Sequence, residues 1–521
     1  MTKLPINQAQ LVELWQQVRS SAEEQSKDFG DVALQYHLAK RFRLIEILDL
    51  AAGKRDQGIS VGLATVLMAI HRNSDPGSKL SFLDWYPNTI LPELSGLPAE
   101  EVTYSDLLSS MDYWTDVPIG RAEADMTLKL GLDYHIGLHV LIWDSSSCYF
   151  DAQVNEIVKF GHSRDHRPDR PQVGIDMFID ADTGMVPYAR SYEGNTVDVS
   201  RFPVAIEEMH RQYLYLEHTH ITILMDRGGV SEENLTLLRD LGYSVIAGLP
   251  QKGQWASLIE GVDTFEGSFN LKGTRWAAQK ETVYVNGHKL FVHIYYNHKR
   301  AKKEQQLRQR ALTACQEELA RLRLGQYQLK TREKIKTRVN AILQKHKVKT
   351  FLSVKVIKPR GQDQFHLEIA TKEPGLSKAE RKGGRFALIT DKEKLTSKKL
   401  LIQYRSKEKA ESAFSIIKGP VSLRPVFHYS PQRIKAHVFI CYLALFLRNL
   451  LDLLLKAKDI DLTPQKALKK SRKVRITQIS FQQSDQTFWA LNKIDPEIQQ
   501  IFDAVGLDSQ QLLSAAGLSP P

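Results

Sequence analysis

Between residues 131 and 250 the sequence leaves helical periodicity and lays down strand, strand, strand, helix, strand, helix, strand, and the helix due next does not arrive until Lys407. An alternation of this kind specifies an α/β core, because each strand face must be covered by a packed helix. The chain is therefore expected to fold as one sheet-based core interrupted by a large insertion. Residues 135–143 (HIGLHVLIW) are apolar and partly β-branched, and they end at Asp144-Ser145-Ser146-Ser147. Residues 174–179 and 185–192 flank Asp182-Thr183-Gly184 and read as a hairpin. A helix over 199–213 is followed by a strand over 221–225 that ends at Asp226-Arg227-Gly228-Gly229. Ser231 caps a helix over 231–241, and a strand over 244–249 closes the run.

The flanks divide naturally around that core. Residues 1–130 carry helical patterns at 11–18, 32–50 and 61–70, turn chemistry at Asp75-Pro76-Gly77, and the basic residues Lys40, Arg41, Arg43, Lys54 and Arg55. This helical N-terminal domain suits either DNA docking or an ordinary bundle. Residues 131–250 form the first part of the core, and 251–400 the insertion, with strands at 281–296, 351–357 and 364–370. A charged helical region over 298–346 carries one seam at Leu312, Cys315, Leu319 and Leu322 and another at Ile335, Val339 and Ile342, a helical hairpin broken near Gly325. Its lysine and arginine excess fits a phosphate-facing surface or a solvated face. Residues 401–460 return to the core and include a buried helix over 431–456. Residues 461–521 hold a basic knot (Lys469, Lys470, Arg472, Lys473, Arg475) and a small helical tail.

A net charge of +11 draws polyanions, so nucleic acid is the first partner to consider. The three cysteines, Cys148, Cys315 and Cys441, lie far apart with no C-x-x-C spacing, which argues against a disulfide framework or zinc site and for a reducing compartment. The N-terminal residues lack a basic head followed by an apolar run, and the longest apolar segment, 438–447, is short for a membrane span of about 20 residues. A cytoplasmic protein with no membrane partner is the expectation.

The chemistry gathers at residues 404–418, YRSKEKAESAFSIIK. Read as one helix, Tyr404, Lys407, Glu411 and Lys418 share a face, beside an apolar stripe of Ala410, Phe414 and Ile417. A glutamate flanked by lysines is also what a solvated helix face with i,i+4 pairs carries. Asp144 and Asp226 each stand just past a predicted strand, where a side chain emerges at a sheet edge; an acid there binds a cation or merely caps a turn. Three carboxylates of this kind offer the hard oxygens that Mg²⁺ takes. No G-x-G-x-x-G or Walker loop accompanies them. The loop over 161–171 packs His162, Arg164, Asp165, His166, Arg167, Asp169 and Arg170 together and reads as a fixed basic loop, with a His/Asp metal site as the alternative.

The spacing Tyr404, two residues, Lys407, three residues, Glu411, six residues, Lys418 resembles the tyrosine–arginine–glutamate–lysine signature of bacterial insertion-sequence transposases of the DDE type, with lysine where arginine is usual. WDSSSCYF around Asp144, GHSRDHRPDRPQVGIDMFID from Gly161, MDRGGVS around Asp226 and RPVFHYSPQRIKAHVFICYLAL from Arg424 are similar to that family too. The resemblance implies a ribonuclease H-like catalytic core interrupted before its glutamate. It implies Asp144, Asp226 and Glu411 as catalytic residues and as ligands of two Mg²⁺ or Mn²⁺ ions. It gives Tyr404, Lys407 and Lys418 a phosphate-gripping role on double-stranded DNA. Lysine at 407 offers a point charge where arginine offers a planar fork. Arg164, Arg167 and Arg170 join the DNA-binding set through the basic loop. The resemblance also implies a homo-oligomer on DNA, since two element ends are paired, and a bacterial protein working at the nucleoid. Trp276, flanked by Lys272 and Lys280, is either a platform for a flipped base or a core residue. A nuclease without strand transfer and a non-catalytic DNA-binding protein on the same scaffold are the rival readings.

Overall fold

A computed structural model describes residues 22–53, 58–150, 154–213, 221–324, 326, 329–358, 360, 364–424, 426, 428–481 and 484–518. The expected helix at 11–18, the basic residues Lys54 and Arg55, and the break at Gly325 lie outside the described residues. The protein is mixed α/β and divides into two compact units, Met1–Ile223 with Ser406–Pro521, and Leu224–Arg405.

In the first unit Val140–Tyr149 (β1), Gln172–Asp180 (β2) and Tyr188–Glu193 (β3) form an antiparallel meander in the order β3-β2-β1. Every residue of β2 is buried, so its one acid pair must be satisfied internally. Asp176 is, by Arg201 from the helix Asp198–Gln212, at 2.7 Å. Arg201 also donates to the Tyr188 hydroxyl on β3, at 2.9 Å. The helix Pro431–Ala457 starts on Ser430, whose hydroxyl accepts from the Arg433 amide at 3.2 Å. It is apolar nearly all round because it is enclosed nearly all round, by the helices Gly30–Arg41, Val61–Ser74, Tyr104–Met111 and Pro496–Val505 among others. By length and composition alone it could cross a membrane, but its burial inside this unit identifies it as a core helix.

Two local readings change here. The helix expected over 32–50 is two helices, Gly30–Arg41 and Leu44–Ala52, separated where Arg43 takes a left-handed backbone at φ 55°. The segment after the basic knot is not simply helical. Arg475–Phe481 pairs with Ala22–Asp28 on one side and with Ser484–Leu491 on the other, an antiparallel sheet joining the two ends of the chain. The knot itself is tied down, Lys470 to Glu497 at 2.6 Å and Arg472 to Asp31 at 3.0 Å.

The division between units falls within Thr222–Met225 (β4). In the second unit β4 is followed by the helix Glu232–Asp240, capped by Ser231 as expected, and then by Ser244–Gly248 (β5). Gly267–Leu271 (β6), Thr274–Val285 (β7), His288–Tyr296 (β8) and Arg385–Thr390 (β9) complete the strand order β4-β5-β9-β8-β7-β6. The strand expected over 281–296 is thus a hairpin. Asn286 and Gly287 take φ 49° and 80°, the pair of left-handed residues that a tight two-residue turn needs. The helices His298–Ala320 and Arg332–Lys345 pack Leu312, Cys315 and Leu319 against Ile335, Val339 and Ile342, with Leu352 and Val356 of the hairpin formed by Leu352–Ile357 and His366–Thr371. Both predicted seams form this satellite core.

Candidate active site

Asp144 does not follow a strand; it sits in the middle of β1, opposite Met177 of β2. The polar run that reads as a turn stays extended because each polar group finds a distant partner. The Ser145 hydroxyl donates to Asp198 at 2.7 Å, the Ser147 hydroxyl accepts from the Arg164 amide at 2.9 Å, and the Ser146 hydroxyl accepts from Lys418 at 2.6 Å. Asp144 itself is half-buried, accepts from the Ser145 amide at 2.9 Å, and lies 3.9 Å from an Arg164 guanidinium nitrogen. Arg164 also pairs with Asp198 at 2.5 Å.

The stretch 404–418 is not one helix. Ser397–Arg405 belongs to the second unit and Glu408–Lys418 to the first. Each buries its apolar residues within its own unit, Leu400 and Leu401 in one case, Ala410, Ala413, Phe414 and Ile417 in the other. The second helix packs on β1, β2 and the Pro431–Ala457 helix. Glu411 is exposed in its first turn, where a carboxylate is favoured by the helix dipole. Lys407 stands at the N-cap, where a cation is disfavoured by the same dipole.

In the second unit Asp226 lies one residue past β4, exposed, and accepts a hydrogen bond from the Tyr404 hydroxyl at 2.9 Å. Gly248 makes room for that tyrosine: a Cβ there would lie 2.5 Å from the hydroxyl. Trp276 is buried on β7, edge-on to Phe386, with the Arg405 guanidinium 5.3 Å from its ring centroid, a core position.

Lys418 is engaged internally. Its ammonium donates to Ser146 Oγ and the Ser147 carbonyl, both at 2.6 Å, and to Asp165 Oδ1 at 3.0 Å, which uses all three donors. Asp165 also takes Arg424 at 2.5 Å, and its side chain is 5% exposed. This buried carboxylate, unmarked among the acids and bases of its segment, locks the basic loop to β1. Gly161 supports the lock, since a Cβ would meet the Gly194 carbonyl oxygen at 2.2 Å. Above it Arg167, Arg170 and Arg424 stand 5.3, 5.8 and 5.3 Å from the Tyr149 ring centroid, a cluster of guanidinium groups over one aromatic face. Arg167 pairs with Asp169 at 2.8 Å. Burial, with Asp165 nearby, pushes the Cys148 thiol up to about 12, which makes it an inert core residue.

The three acids are thus found as follows: Asp144 and Glu411 on adjoining elements of one unit, Asp226 in the other. Their oxygens are of the type Mg²⁺ takes. Among the described residues no group of three His, Cys, Asp or Glu side chains is arranged to hold a metal ion, in the basic loop or elsewhere. No spacing distinguishes Asp198 or Arg424, whereas Asp165, an acid inside a basic run, is a signal that the loop is internally neutralised.

No family model matches the chain, and no curated protein matches it. The structure is similar to that of a piggyBac transposase in a synaptic complex with hairpin DNA, determined by cryo-EM, at 9% identity and a TM-score of 0.39, over 86% of this chain and 82% of that chain.

Proposed function

We propose that the protein is a DNA transposase that cleaves at the ends of an insertion sequence and joins the freed 3′-hydroxyl ends to target DNA. The observation that carries this reading is the packing of the Glu411 helix on the strand that bears Asp144. In this reading Asp144, Asp226 and Glu411 hold Mg²⁺ or Mn²⁺, which when bound supplies charge neutralisation at the reacting phosphate and activation of water or a 3′-hydroxyl. Tyr404 orients Asp226 through its hydroxyl. Arg167 and Arg170, on the locked loop, and Lys407, at a helix N-cap, take DNA phosphates. Arg164 restrains Asp144, and Lys418 serves by holding the loop, through Asp165, rather than by touching DNA.

The test is nicking of duplexes built from the sequences that flank the gene, with Mg²⁺ and without, followed by a search for strand-transfer products. Full nicking by Asp144→Asn or Glu411→Gln would refute the assignment, and nicking without joined products would reduce the protein to a nuclease. A second reading, a DNA-binding protein without catalysis, draws on the lack of an assembled three-acid group among the described residues. Calorimetric titration with Mn²⁺ separates it, since only the enzyme needs the metal to bind in a manner that Asp144→Asn and Glu411→Gln abolish.

A further inference from the structure

A cavity of about 430 Å³ opens in the first unit, between the turn at 76–78, the start of the helix Lys79–Trp85 and the segment 422–428. Arg72, Lys79, Tyr104, Ser422, His428 and His437 line it, and among the described residues no aspartate or glutamate does. Arg72 and Lys79 are 5% and 6% exposed, and His437 is 4% exposed. Arg72 is held by the Gly77 and Ser422 carbonyls, at 2.8 and 2.9 Å, with its Nε left unpaired. His437 Nε2 lies 3.0 Å from the Leu423 carbonyl, and its Nδ1 is unpaired. Arg424 also lines the space and shares the Asp165 carboxylate with Lys418.

The Lys79 ammonium has no hydrogen-bond or carboxylate partner among the described residues, although it is buried beside a second cation. That arrangement is costly. A largely buried side chain whose charge meets no counter-ion is held only by what hydration the cavity leaves it, and Arg72 adds repulsion. Burial and Arg72 lower the pKa of the lysine to about 7, and burial and Lys79 lower that of His428 to about 4. Groups like these are retained in one cavity when something completes them.

We infer that this cavity binds a phosphate monoester: Arg72 and Lys79 supply the two uncompensated positive charges that match a phosphate dianion, and His428, His437, Ser422 and Tyr104 supply further polar contacts. A carboxylate would neutralise only one of the two cations. The volume exceeds what bare phosphate needs and falls within the range of sites for small organic ligands. The phosphate has two chemical sources, a free nucleotide or the 5′-terminal phosphate of a DNA strand. The inference stands on this cavity alone and does not rest on the three acids.

The experiment measures thermal unfolding of the full chain at fixed ionic strength against rising adenosine monophosphate, inorganic phosphate, and a 5′-phosphorylated oligonucleotide beside its 5′-hydroxyl twin, with chloride as the control. A saturable stabilisation by adenosine monophosphate or phosphate supports a small-molecule ligand. One seen only with the phosphorylated oligonucleotide supports a DNA end. Lys79→Gln is expected to weaken the half-saturation point roughly 10–100-fold, the range for losing one charged hydrogen bond to an ion. It should also raise the melting temperature of the free protein by removing the repulsion. Should Lys79→Gln not fold, His428→Gln carries the same test with a smaller loss. No phosphate effect above chloride, or wild-type binding by the folded variants, overturns the inference.

Discussion

Lys418→Met tests whether this lysine is a strut of the fold or a ligand of DNA. The substitution keeps the length of the side chain and removes the ammonium. In the structure that ammonium makes three hydrogen bonds, and its side chain is 13% exposed. Removing one partner of a buried charge pair costs about 3–5 kcal/mol when the remaining charge is left alone. Here Asp165 retains Arg424 at 2.5 Å, so the penalty falls below that range, at about 2–3 kcal/mol. Asp165→Asn is harsher, because it leaves two cations facing each other, and the full figure of about 3–5 kcal/mol applies.

The assay is urea unfolding of both variants and their double mutant, together with DNA affinity at several salt concentrations. A strut predicts the order Asp165→Asn above Lys418→Met in lost stability, non-additive losses in the double mutant, and no change in the salt slope at urea-free conditions. A direct phosphate ligand predicts the opposite: a stability change under about 0.5 kcal/mol and a salt slope reduced by about 1. That second outcome would refute the account of the buried cluster and make Lys418 a phosphate ligand, as the family resemblance implies.

Other expectations are as direct. His71 is held to about 3 by burial, with Lys79 and Arg72 adding to it, so it folds neutral; its stabilisation is complete above pH 6.5 and is lost as pH falls through that value towards the folded pKa. That costs about 2 kcal/mol by pH 5, measured as the unfolding free energy at pH 7 and 5, and a flat profile would contradict the buried neutral state. Gly248→Ala pushes the Tyr404 hydroxyl off Asp226 and, because that side chain can swing away, should behave like Tyr404→Phe, with stability lowered by no more than about 1 kcal/mol in thermal unfolding and, under the proposed function, reduced nicking. Gly161→Ala meets a backbone oxygen that cannot swing, and a loss of about 1–3 kcal/mol is expected in the same assay.

What could be read in the chain was whatever is written locally. Apolar runs located the strands from β1 to β5, Ser231 announced its helix, and two seams foretold the satellite core of the insertion, because each depends on residues a few positions apart. The Asn286-Gly287 turn is equally local, since both residues take the left-handed backbone that a two-residue hairpin loop requires. The end-to-end sheet was hidden for a different reason: Ala22–Asp28 (AEEQSKD) has no strand-like pattern and is extended because Arg475–Phe481 pairs with it. The same principle governs the site. Asp144-Ser145-Ser146-Ser147 has the composition of a turn, and a turn it would be if its hydroxyls had only water to bond. Asp198, Arg164 and Lys418, from 17 to 272 positions away, bond them instead and keep the strand extended through Asp144. Lys418 thereby spends on the fold the charge that the family resemblance would give to DNA. Spacing along a helix fixes which side chains share a face, but whether a cation on that face is available to a ligand depends on what lies opposite, and for Lys418 that is Asp165, on a loop that no periodicity connects to it.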